Sequence, residues 1–453
     1  MGVILHRRTD PLLLSPYIKT NQTETARRLA LIKVESTKKF LEMIRSYSGF
    51  ITVNEKCQSN MFFWFFPRLR NDSSPSKTEK DQFNTTSPLV LWMQGGPGAS
   101  SLFGLFVETG PFQVNMDLTL TLRPTSWLKY ASLLYLDNPV GSGFSFTADE
   151  DCYPTDQQAI GDDLTDFVRQ FYVLFPEFIS TPLYIGGQSY AGKYVPTLSY
   201  RLATDEGFAF VPLQGMIIGN GFSDPIHMLE YGDFLEGVGL LNREQADEIS
   251  QQTKIARKMI RLKMYVEAYA LIDQLIVGAF TPQGTIIQNL TGIGHYYNIL
   301  RSGHPPEMTF FYHYLHMERV KKAIHAGGRN ISDGAAIRRA LIPDMMQSVA
   351  DQFAKLLDNG YRVLFYSGQL DIIVNYVCVE NFFHNLVWSG AKKWRNTKRK
   401  QWRIDGPQVV GFVRQVNNLT EVMIRNAGHI APFDQPWPTL DMFRRFIDGL
   451  QFN

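Results

Sequence analysis

The chain has 453 residues, a formal net charge of +2 and 19% charged residues. Because this length exceeds the usual size of a single hydrophobic core, we expect one large domain with an insertion, or two domains. The near-neutral net charge gives no reason to expect nucleic acid or an anionic membrane as a partner, and no apolar run approaches the ~18 residues that a membrane span needs.

Residues 1–34 are predicted to form an N-terminal arm. As written, the arm lacks the continuous apolar segment of a secretory signal, since residues 2–5 are followed at once by charged residues. Six N-x-S/T sequons hint at glycosylation all the same. They lie at Asn21, Asn71, Asn84, Asn289, Asn330 and Asn418. The three cysteines, Cys57, Cys152 and Cys378, are too few for a disulfide-dense scaffold, so we interpret them as buried or surface thiols.

The first strands are predicted shortly after the arm. Residues 47–67 contain two aromatic and β-branched runs separated by polar residues, which is typical of a β-hairpin, and the polar residues 71–86 favour a surface loop. Residues 88–93 (PLVLWM) form a short continuous apolar run, as in a strand buried on both faces of a parallel sheet. Three glycines beside a proline follow in residues 94–101, and such a loop can present bare N–H groups to a negatively charged oxygen, although a plain strand-to-helix connection is the alternative.

Glu108 lies in the next, otherwise apolar segment. An acid in this setting is either a capping or surface residue, or a functional carboxyl group with a raised pKa. Residues 131–136 (ASLLYL) are a second buried strand that ends in a glycine-rich loop, residues 137–145. Apolar residues at helical spacing then predict a helix that ends near residue 175.

Residues 182–196 (PLYIGGQSYAGKYVP) contain the motif around which the chain is organised. The end of a strand, two glycines, Ser189 and a helix start are typical of the nucleophile elbow, which needs small residues two places either side of the serine. Here those residues are Gly187 and Ala191. An ordinary helix N-cap is the alternative interpretation of this serine.

A strand at residues 213–218 follows, and the pattern then changes. Long amphipathic runs without strand signals predict a helical cap over residues 223–301, inserted into an α/β core made of residues 35–222 and 302–453. In the second part of the core we predict helices at residues 320–325, 345–358 and 438–446, and strands at residues 361–366, 409–413 and 420–425. The basic run at residues 392–400 (KKWRNTKRK) is interpreted as a solvated loop between two strands. Strands that alternate with helices predict a doubly wound, mostly parallel sheet.

Ser189, Asp371 and His429 each fall just past the end of a predicted strand, where the ligands of doubly wound sheets bind. Their order is the chain order of α/β-hydrolase triads. The chemistry needs this set, because an imidazole must take the proton of the serine and a carboxylate must fix the tautomer of that imidazole.

The chain contains the motifs WMQGGPGASS, LDNPVGSGFSF, GGQSYAGKYVP, YSGQLDIIVNY and NAGHIAPFDQP. These five motifs resemble those of the serine carboxypeptidases of the α/β-hydrolase fold. SGFITVN, FFWFFP and Gln94 make the chain especially similar to the vitellogenic-like branch, and the resemblance covers nearly the whole chain from about Asp10. It implies a secretory, lysosomal or extracellular enzyme, with a cytoplasmic location as the alternative. It also implies that peptide C-termini are the substrates, that neither a metal nor a cofactor takes part, and that a homodimer is an open alternative to a monomer.

The resemblance also implies residue roles. The triad would be Ser189, Asp371 and His429, and the N–H groups of Gly96 and Tyr190 would form the oxyanion hole. The residues that would bind the carboxylate of the substrate are Gln94, Gly95, Glu108 and the residue before the serine. That last residue is a glutamate in the family and Gln188 here.

This departure affects the pH dependence of substrate binding. Two carboxylic acids bind a substrate carboxylate only while they are protonated, so a pair of glutamates restricts binding to acid pH. Gln188 donates an N–H without a proton from solution, so we expect peptide binding to persist at higher pH, or to be weakened. A second departure is that no cysteine lies between residues 153 and 377, and that Ala99 replaces a cysteine of the first motif. A catalytically weak binding or protective scaffold, and an esterase or acyltransferase with the same triad, are the alternatives to a peptidase.

Overall fold

A ten-stranded sheet forms the centre of the computed structural model, which describes residues 10–32, 44–70 and 82–452. The strand order in the sheet is β1-β2-β6-β3-β7-β8-β9-β12-β11-β10, and β4 pairs with β5 in a separate hairpin. The strands are β1 (Tyr47–Asn54), β2 (Ser59–Phe66), β3 (Leu89–Met93), β4 (Phe112–Val114), β5 (Leu120–Leu122), β6 (Ser132–Leu136), β7 (Leu183–Gln188), β8 (Leu213–Gly219), β9 (Arg362–Gly368), β10 (Lys400–Arg403), β11 (Val409–Val416) and β12 (Leu419–Ile424).

The central strands run parallel, and the two edges are antiparallel hairpins. β3, β6 and β7 are buried along their whole length, because their continuous apolar runs are covered by helices on both faces. A separate apolar core lies on each face of the sheet. This architecture confirms the predicted α/β-hydrolase fold class.

Most helices connect successive strands or follow the last one. The α-helices of the described residues are α1 (Ser15–Lys19), α2 (Thr23–Ala30), α3 (Gln157–Leu174), α4 (Ala191–Thr204), α5 (Gly232–Gly237), α6 (Arg243–Arg261), α7 (Tyr265–Ile272), α8 (Ile286–Thr291), α9 (Phe310–His316), α10 (Glu318–Ala323), α11 (Ala335–Ala340), α12 (Ala350–Asp358), α13 (Tyr376–Asn385), α14 (Ala391–Asn396), α15 (Ala431–Asp434) and α16 (Pro436–Asp448). Between β8 and β9, residues 220–361 are all described, and they contain helices and turns but no strand. None of the helices in the described ranges is long and apolar enough to cross a membrane.

The interpretation of the cysteines as thiols is wrong for two of the three. Cys57 and Cys152 form a disulfide with their Cα atoms 5.9 Å apart, although 95 residues separate them in sequence. The turn between β1 and β2 carries Cys57 against the loop after β6, where the N–H of Ala148 donates to the Cys57 carbonyl oxygen at 3.1 Å. Cysteine counting alone contains no information on this approach. Cys378 is a buried free thiol, as expected.

The basic run at residues 392–400 is not a loop between two strands. It forms most of α14 and the start of the edge strand β10, neither of which the sequence analysis predicted. The basic side chains of α14 face solvent, while Trp394 is buried beneath them. The helix is therefore amphipathic, but it was not predicted because so many of its residues are charged. The predicted helix at residues 345–358 also begins later, at Ala350.

Candidate active site

The turn between β7 and α4 holds Ser189 in a left-handed conformation with φ = 64°. A non-glycine residue there is strained and is held by its surroundings. The Ser189 N–H donates to the Gly219 carbonyl oxygen at 3.0 Å, and its own carbonyl accepts from the N–H of Phe222 at 2.9 Å. A Cβ atom on Gly187 would lie 2.6 Å from that of Ala191, so the small residue two places before the serine is a steric requirement.

The glycine-rich loop after β3 packs directly against this turn. A Cβ atom on Gly95 would lie 2.4 Å from the Tyr190 nitrogen, so only glycine permits the approach. Gly96 adopts φ = 113°, which also favours glycine. Neither the Gly96 N–H nor the Tyr190 N–H donates a hydrogen bond to the part of the chain that the structure describes. Two free backbone donors therefore lie beside the serine.

A buried aspartate fixes the position of this loop. Asp137, at the end of β6, accepts hydrogen bonds from the Ser100 hydroxyl at 2.7 Å, the Ser101 N–H at 2.8 Å and the Phe144 N–H at 2.8 Å. Burial raises its pKa to about 6, against the opposing effect of these donors. The aspartate thus joins the loops after β3 and β6, which are both glycine-rich.

His429 and Asp371 form the second half of the site. His429 Nδ1 lies 2.6 Å from Asp371 Oδ2, and both residues are almost fully buried. Because an ionised carboxylate only accepts, Nδ1 carries the proton and Nε2 is left as an acceptor. Asp371 Oδ2 also accepts from the Asn220 side chain at 2.7 Å, and its Oδ1 accepts from the Val374 N–H at 3.1 Å.

Two residues that support His429 were missed by the sequence analysis. The ring of Tyr297 stacks on the imidazole with centroids 4.8 Å apart and an interplanar angle of 23°, and its carbonyl oxygen accepts from the His429 N–H at 2.6 Å. Asp434 accepts from the Gly428 N–H at 2.8 Å and from the Asn298 side chain at 2.9 Å. Tyr297 lies within the predicted cap, and only the fold places it beside the histidine.

Ser189 and His429 both line one cavity of about 290 Å³. The predicted residues Gln94, Gly95, Gly96, Gln188 and Tyr190 line it as well. Most other lining side chains are aromatic or aliphatic, and no aspartate, glutamate, lysine or arginine of the described ranges is among them. The lining set includes Phe103, Phe222, Tyr231, Tyr269, Ile272, Val277, Tyr296, Tyr297, Met308, Tyr312, Met345, Met346 and Ile430.

A chain of hydrogen bonds links the two amide side chains to the histidine. Trp92 Nε1 donates to Gln94 Oε1 at 3.3 Å, Gln94 Nε2 donates to Gln188 Oε1 at 2.7 Å, and Gln188 Nε2 donates to the His429 carbonyl oxygen at 2.8 Å. The indole can only donate and the carbonyl can only accept, so both ends of the chain set the same orientation for the two amides.

Glu108 lies behind these amides and does not line the cavity. It ends a π-helix (Gly104–Glu108), and its side chain is 1% exposed. Burial raises its pKa to about 8, while Gln94 and Arg123 oppose the rise. Neither carboxyl oxygen has a well-formed hydrogen bond to a described residue, so the neutral acid is the favoured form below that pH.

The sequons differ in accessibility. Asn21, Asn289 and Asn330 are exposed, and Asn84 and Asn418 are half-buried. Asn71 lies outside the described residues.

Known proteins resemble this chain along almost its whole length. A family model described as serine carboxypeptidase matches residues 37–449. A venom serine carboxypeptidase of Apis mellifera is 42% identical over 446 residues, which cover 98% of this chain and 92% of that protein. A probable serine carboxypeptidase of Homo sapiens, CPVL, is 38% identical over 97% of this chain and 90% of its own length, and a vitellogenic carboxypeptidase of Aedes aegypti is 36% identical over 96% and 90%.

The crystal structure of Kex1(delta)p, a prohormone-processing carboxypeptidase from Saccharomyces cerevisiae, superimposes with a TM-score of 0.80 at 22% identity. The match covers 93% of this chain and 96% of that one, which shows a shared fold. A family match over this much of the sequence, together with relatives of such identity, shows that the chain belongs to the serine carboxypeptidase family.

Proposed function

We propose that this serine carboxypeptidase removes single residues from peptide C-termini through an acyl-enzyme, with Ser189 as nucleophile, His429 as general base and Asp371 as the residue that orients it. The observation that carries the proposal is the Asp371–His429 hydrogen bond of 2.6 Å at a cavity that Ser189 also lines. The bond leaves His429 Nε2 free to accept the serine proton.

In the first step the serine oxygen bonds to the scissile carbonyl carbon and its proton passes to His429 Nε2. The N–H groups of Gly96 and Tyr190 stabilise the resulting oxyanion, since neither is used elsewhere in the described chain. The imidazolium then gives its proton to the leaving amino acid. A water molecule repeats the sequence on the ester and regenerates the serine.

Gln94, Gly95 and Gln188 are proposed to bind the carboxylate of the substrate. Each amide nitrogen of Gln94 and Gln188 has two N–H groups, and one of each is engaged in the hydrogen-bond chain. The second N–H is the candidate donor to the substrate. Glu108 acts from behind, and we propose that its protonated form keeps negative charge away from the subsite.

The cavity favours apolar side chains on either side of the scissile bond. It is lined by aromatic and aliphatic groups and offers no carboxylate to a lysine or arginine side chain. We expect kcat/KM for blocked dipeptides that end in Phe or Leu to exceed that for Lys or Arg by at least about tenfold, the range for a buried apolar side chain.

We propose that residues 223–301 form the cap over this cavity, since α7 supplies Tyr269 and Ile272 to its wall.

A location in the secretory pathway, lysosomal or extracellular, is also proposed. The Cys57–Cys152 disulfide fits an oxidising compartment, and three exposed sequons would be open to glycosylation there. The homodimer stays a prediction.

Labelling with a fluorophosphonate, read beside release of amino acids from blocked dipeptides, tests the function. We expect both signals in the wild type and neither in Ser189→Ala. Absence of the Ser189 adduct would support a binding scaffold instead. Labelling and ester cleavage without amino-acid release would support an esterase.

A further inference from the structure

The turn between α6 and α7 carries basic and apolar side chains together in solvent. We call residues 254–266 the basic–apolar tip. Its four exposed apolar side chains have large exposed fractions: Ile255 45%, Leu262 62%, Met264 39% and Val266 48%. Its exposed basic side chains are Lys254, Lys258, Arg261 and Lys263. Scattered exposed apolar residues need no explanation, but this group falls within one short segment and is mixed with positive charge.

Helical geometry places both kinds of side chain on one face. At 100° per residue, Lys254, Lys258 and Arg261 lie within about 60° of one another around α6, and Ile255 and Leu262 lie beside them. The opposite face carries Thr253, Ala256 and Ile260, which are buried. The solvent face of the last two turns is therefore half basic and half apolar.

The turn itself is fixed by backbone hydrogen bonds. The Lys263 N–H donates to the Ile260 carbonyl oxygen at 2.9 Å, and the Met264 N–H donates to the Met259 carbonyl oxygen at 3.0 Å. This is the Schellman pattern, here with a lysine at φ = 60° where glycine is usual. Leu262 and Met264 are held on either side of that lysine.

The charges of the tip are only partly offset by neighbouring acids: Lys254 opposes the rise that burial gives the pKa of Glu230. Within the described ranges, none of its four exposed basic side chains forms an ion pair, whereas the half-buried Arg257 pairs with Glu230 at 2.5 Å. Glu267, just beyond the tip, is the nearest acid along the chain. The overall charge of +2 thus conceals a local excess of positive charge.

We propose that the basic–apolar tip docks on the surface of a membrane that contains anionic phospholipids. Lysine and arginine are attracted to anionic headgroups, and exposed leucine, methionine and valine side chains enter the boundary between headgroups and acyl chains. A soluble polyanion would satisfy the charges but leave the apolar side chains in water. The tip would hold the protein at the surface without a membrane-spanning segment.

Sedimentation of the full chain with vesicles of phosphatidylcholine, with or without about 30% phosphatidylserine, tests the proposal. We expect binding to the anionic vesicles only, and reduced binding at high salt. The charge-reversal variant Lys258→Glu/Arg261→Glu/Lys263→Glu should bind at least about 100-fold more weakly, since each of the three basic residues near an anionic surface contributes roughly fivefold in affinity. Unchanged binding by this variant would overturn the proposal.

A matched control reverses three exposed lysines of the other basic segment, at α14 and just after it. The variant Lys392→Glu/Lys393→Glu/Lys398→Glu makes the same change of net charge, and should keep most of the vesicle binding. Equal loss in the two variants would mean that net charge, and not the tip, governs adsorption. Both variants should hydrolyse a soluble dipeptide at the wild-type rate, which shows that they fold.

The apolar variant Leu262→Ser/Met264→Ser separates a membrane from a soluble polyanion. It should bind anionic vesicles several-fold more weakly and bind heparin as the wild type does. Unchanged vesicle binding by this variant would refute insertion into a membrane. The same conclusion would follow if only the charge-reversal variant lost binding to both vesicles and heparin.

Discussion

Gln188→Glu is the substitution that tests the site most directly, because it replaces the amide NH₂ group of the hydrogen-bond chain by a carboxyl oxygen. Gln188 Nε2 donates to the His429 carbonyl oxygen at 2.8 Å. A glutamic acid can replace this donor only while it is protonated, since an ionised carboxylate would face a carbonyl oxygen with no hydrogen between them.

The sign of the pH dependence follows from burial. Residue 188 is 1% exposed, so desolvation would raise the pKa of a glutamate there, as it raises that of Glu108 to about 8, although the Gln94 N–H would oppose the rise. Below the raised pKa the variant is protonated and keeps the bond. As pH rises through it, the bond is lost and a buried oxygen is left unsatisfied, at a cost of about 2 kcal/mol, or roughly 30-fold in kcat/KM.

The assay is kcat/KM for a blocked dipeptide between about pH 4.5 and 8, the window between an ordinary and a strongly raised glutamate pKa. We expect the ratio of variant to wild type to fall across this window. The control Gln188→Met removes the amide without adding a titrating group, so its ratio to the wild type should be low and independent of pH. Superimposable profiles for the wild type and Gln188→Glu would refute the reasoning.

Three further predictions concern other residues. The raised folded-state pKa of Glu108 stabilises the wild type fully near pH 4.5, and this stabilisation is lost as pH rises toward 8. The free energy of unfolding of Glu108→Gln, measured in urea, should therefore gain roughly 3–5 kcal/mol on that of the wild type across this range. Parallel pH profiles for the two proteins would contradict this. Tyr297→Leu removes the aromatic face stacked on His429 and should lower kcat with little change in KM, because the ring helps to hold the imidazole in place, whereas Tyr297→Phe should keep kcat. Equal losses of kcat in the two variants would contradict a role for the stacked ring. Cys57→Ser/Cys152→Ser removes a link across 95 residues and should lower the free energy of unfolding in urea by about 2–5 kcal/mol. Reduction of the wild type with dithiothreitol should lower it by the same amount. Equal unfolding midpoints for reduced and oxidised protein would argue against a structural disulfide.

The sequence predicted those features that depend on local pattern. The buried strand before Gln94 and the bend at Ser189 were visible because continuous apolar runs and small residues are local requirements of strands and sharp turns. The approach of Cys57 to Cys152 was not visible, since it results from pairing of β2 with β6 and no local signal encodes it.

The position of Glu108 shows the same limit at the site. A single acid in an apolar segment was either a capping or surface residue, or a functional carboxyl group with a raised pKa, and burial does raise the pKa of Glu108. The sequence could not reveal that the acid lies behind Gln94 instead of lining the cavity, because that depends on how the π-helix packs, with Gly104 close against Trp92 of β3. Tyr297 was missed for a related reason: it lies in a turn within a segment that was predicted to be helical, where a tyrosine is usually a packing residue, and only its stacking on the imidazole distinguishes it.

In the proposed mechanism, Gln188 joins substrate recognition to catalysis through a single side chain. It directly precedes Ser189 in sequence, lines the cavity beside Gln94, and donates to the carbonyl group of the histidine that serves as the proposed base. If a substrate carboxylate binds this amide as proposed, it also acts on the loop that carries His429. An interaction of this kind differs between the ground state and the transition state, so substitutions at Gln188 should change kcat as well as KM. A residue that only held the substrate in place would change KM alone.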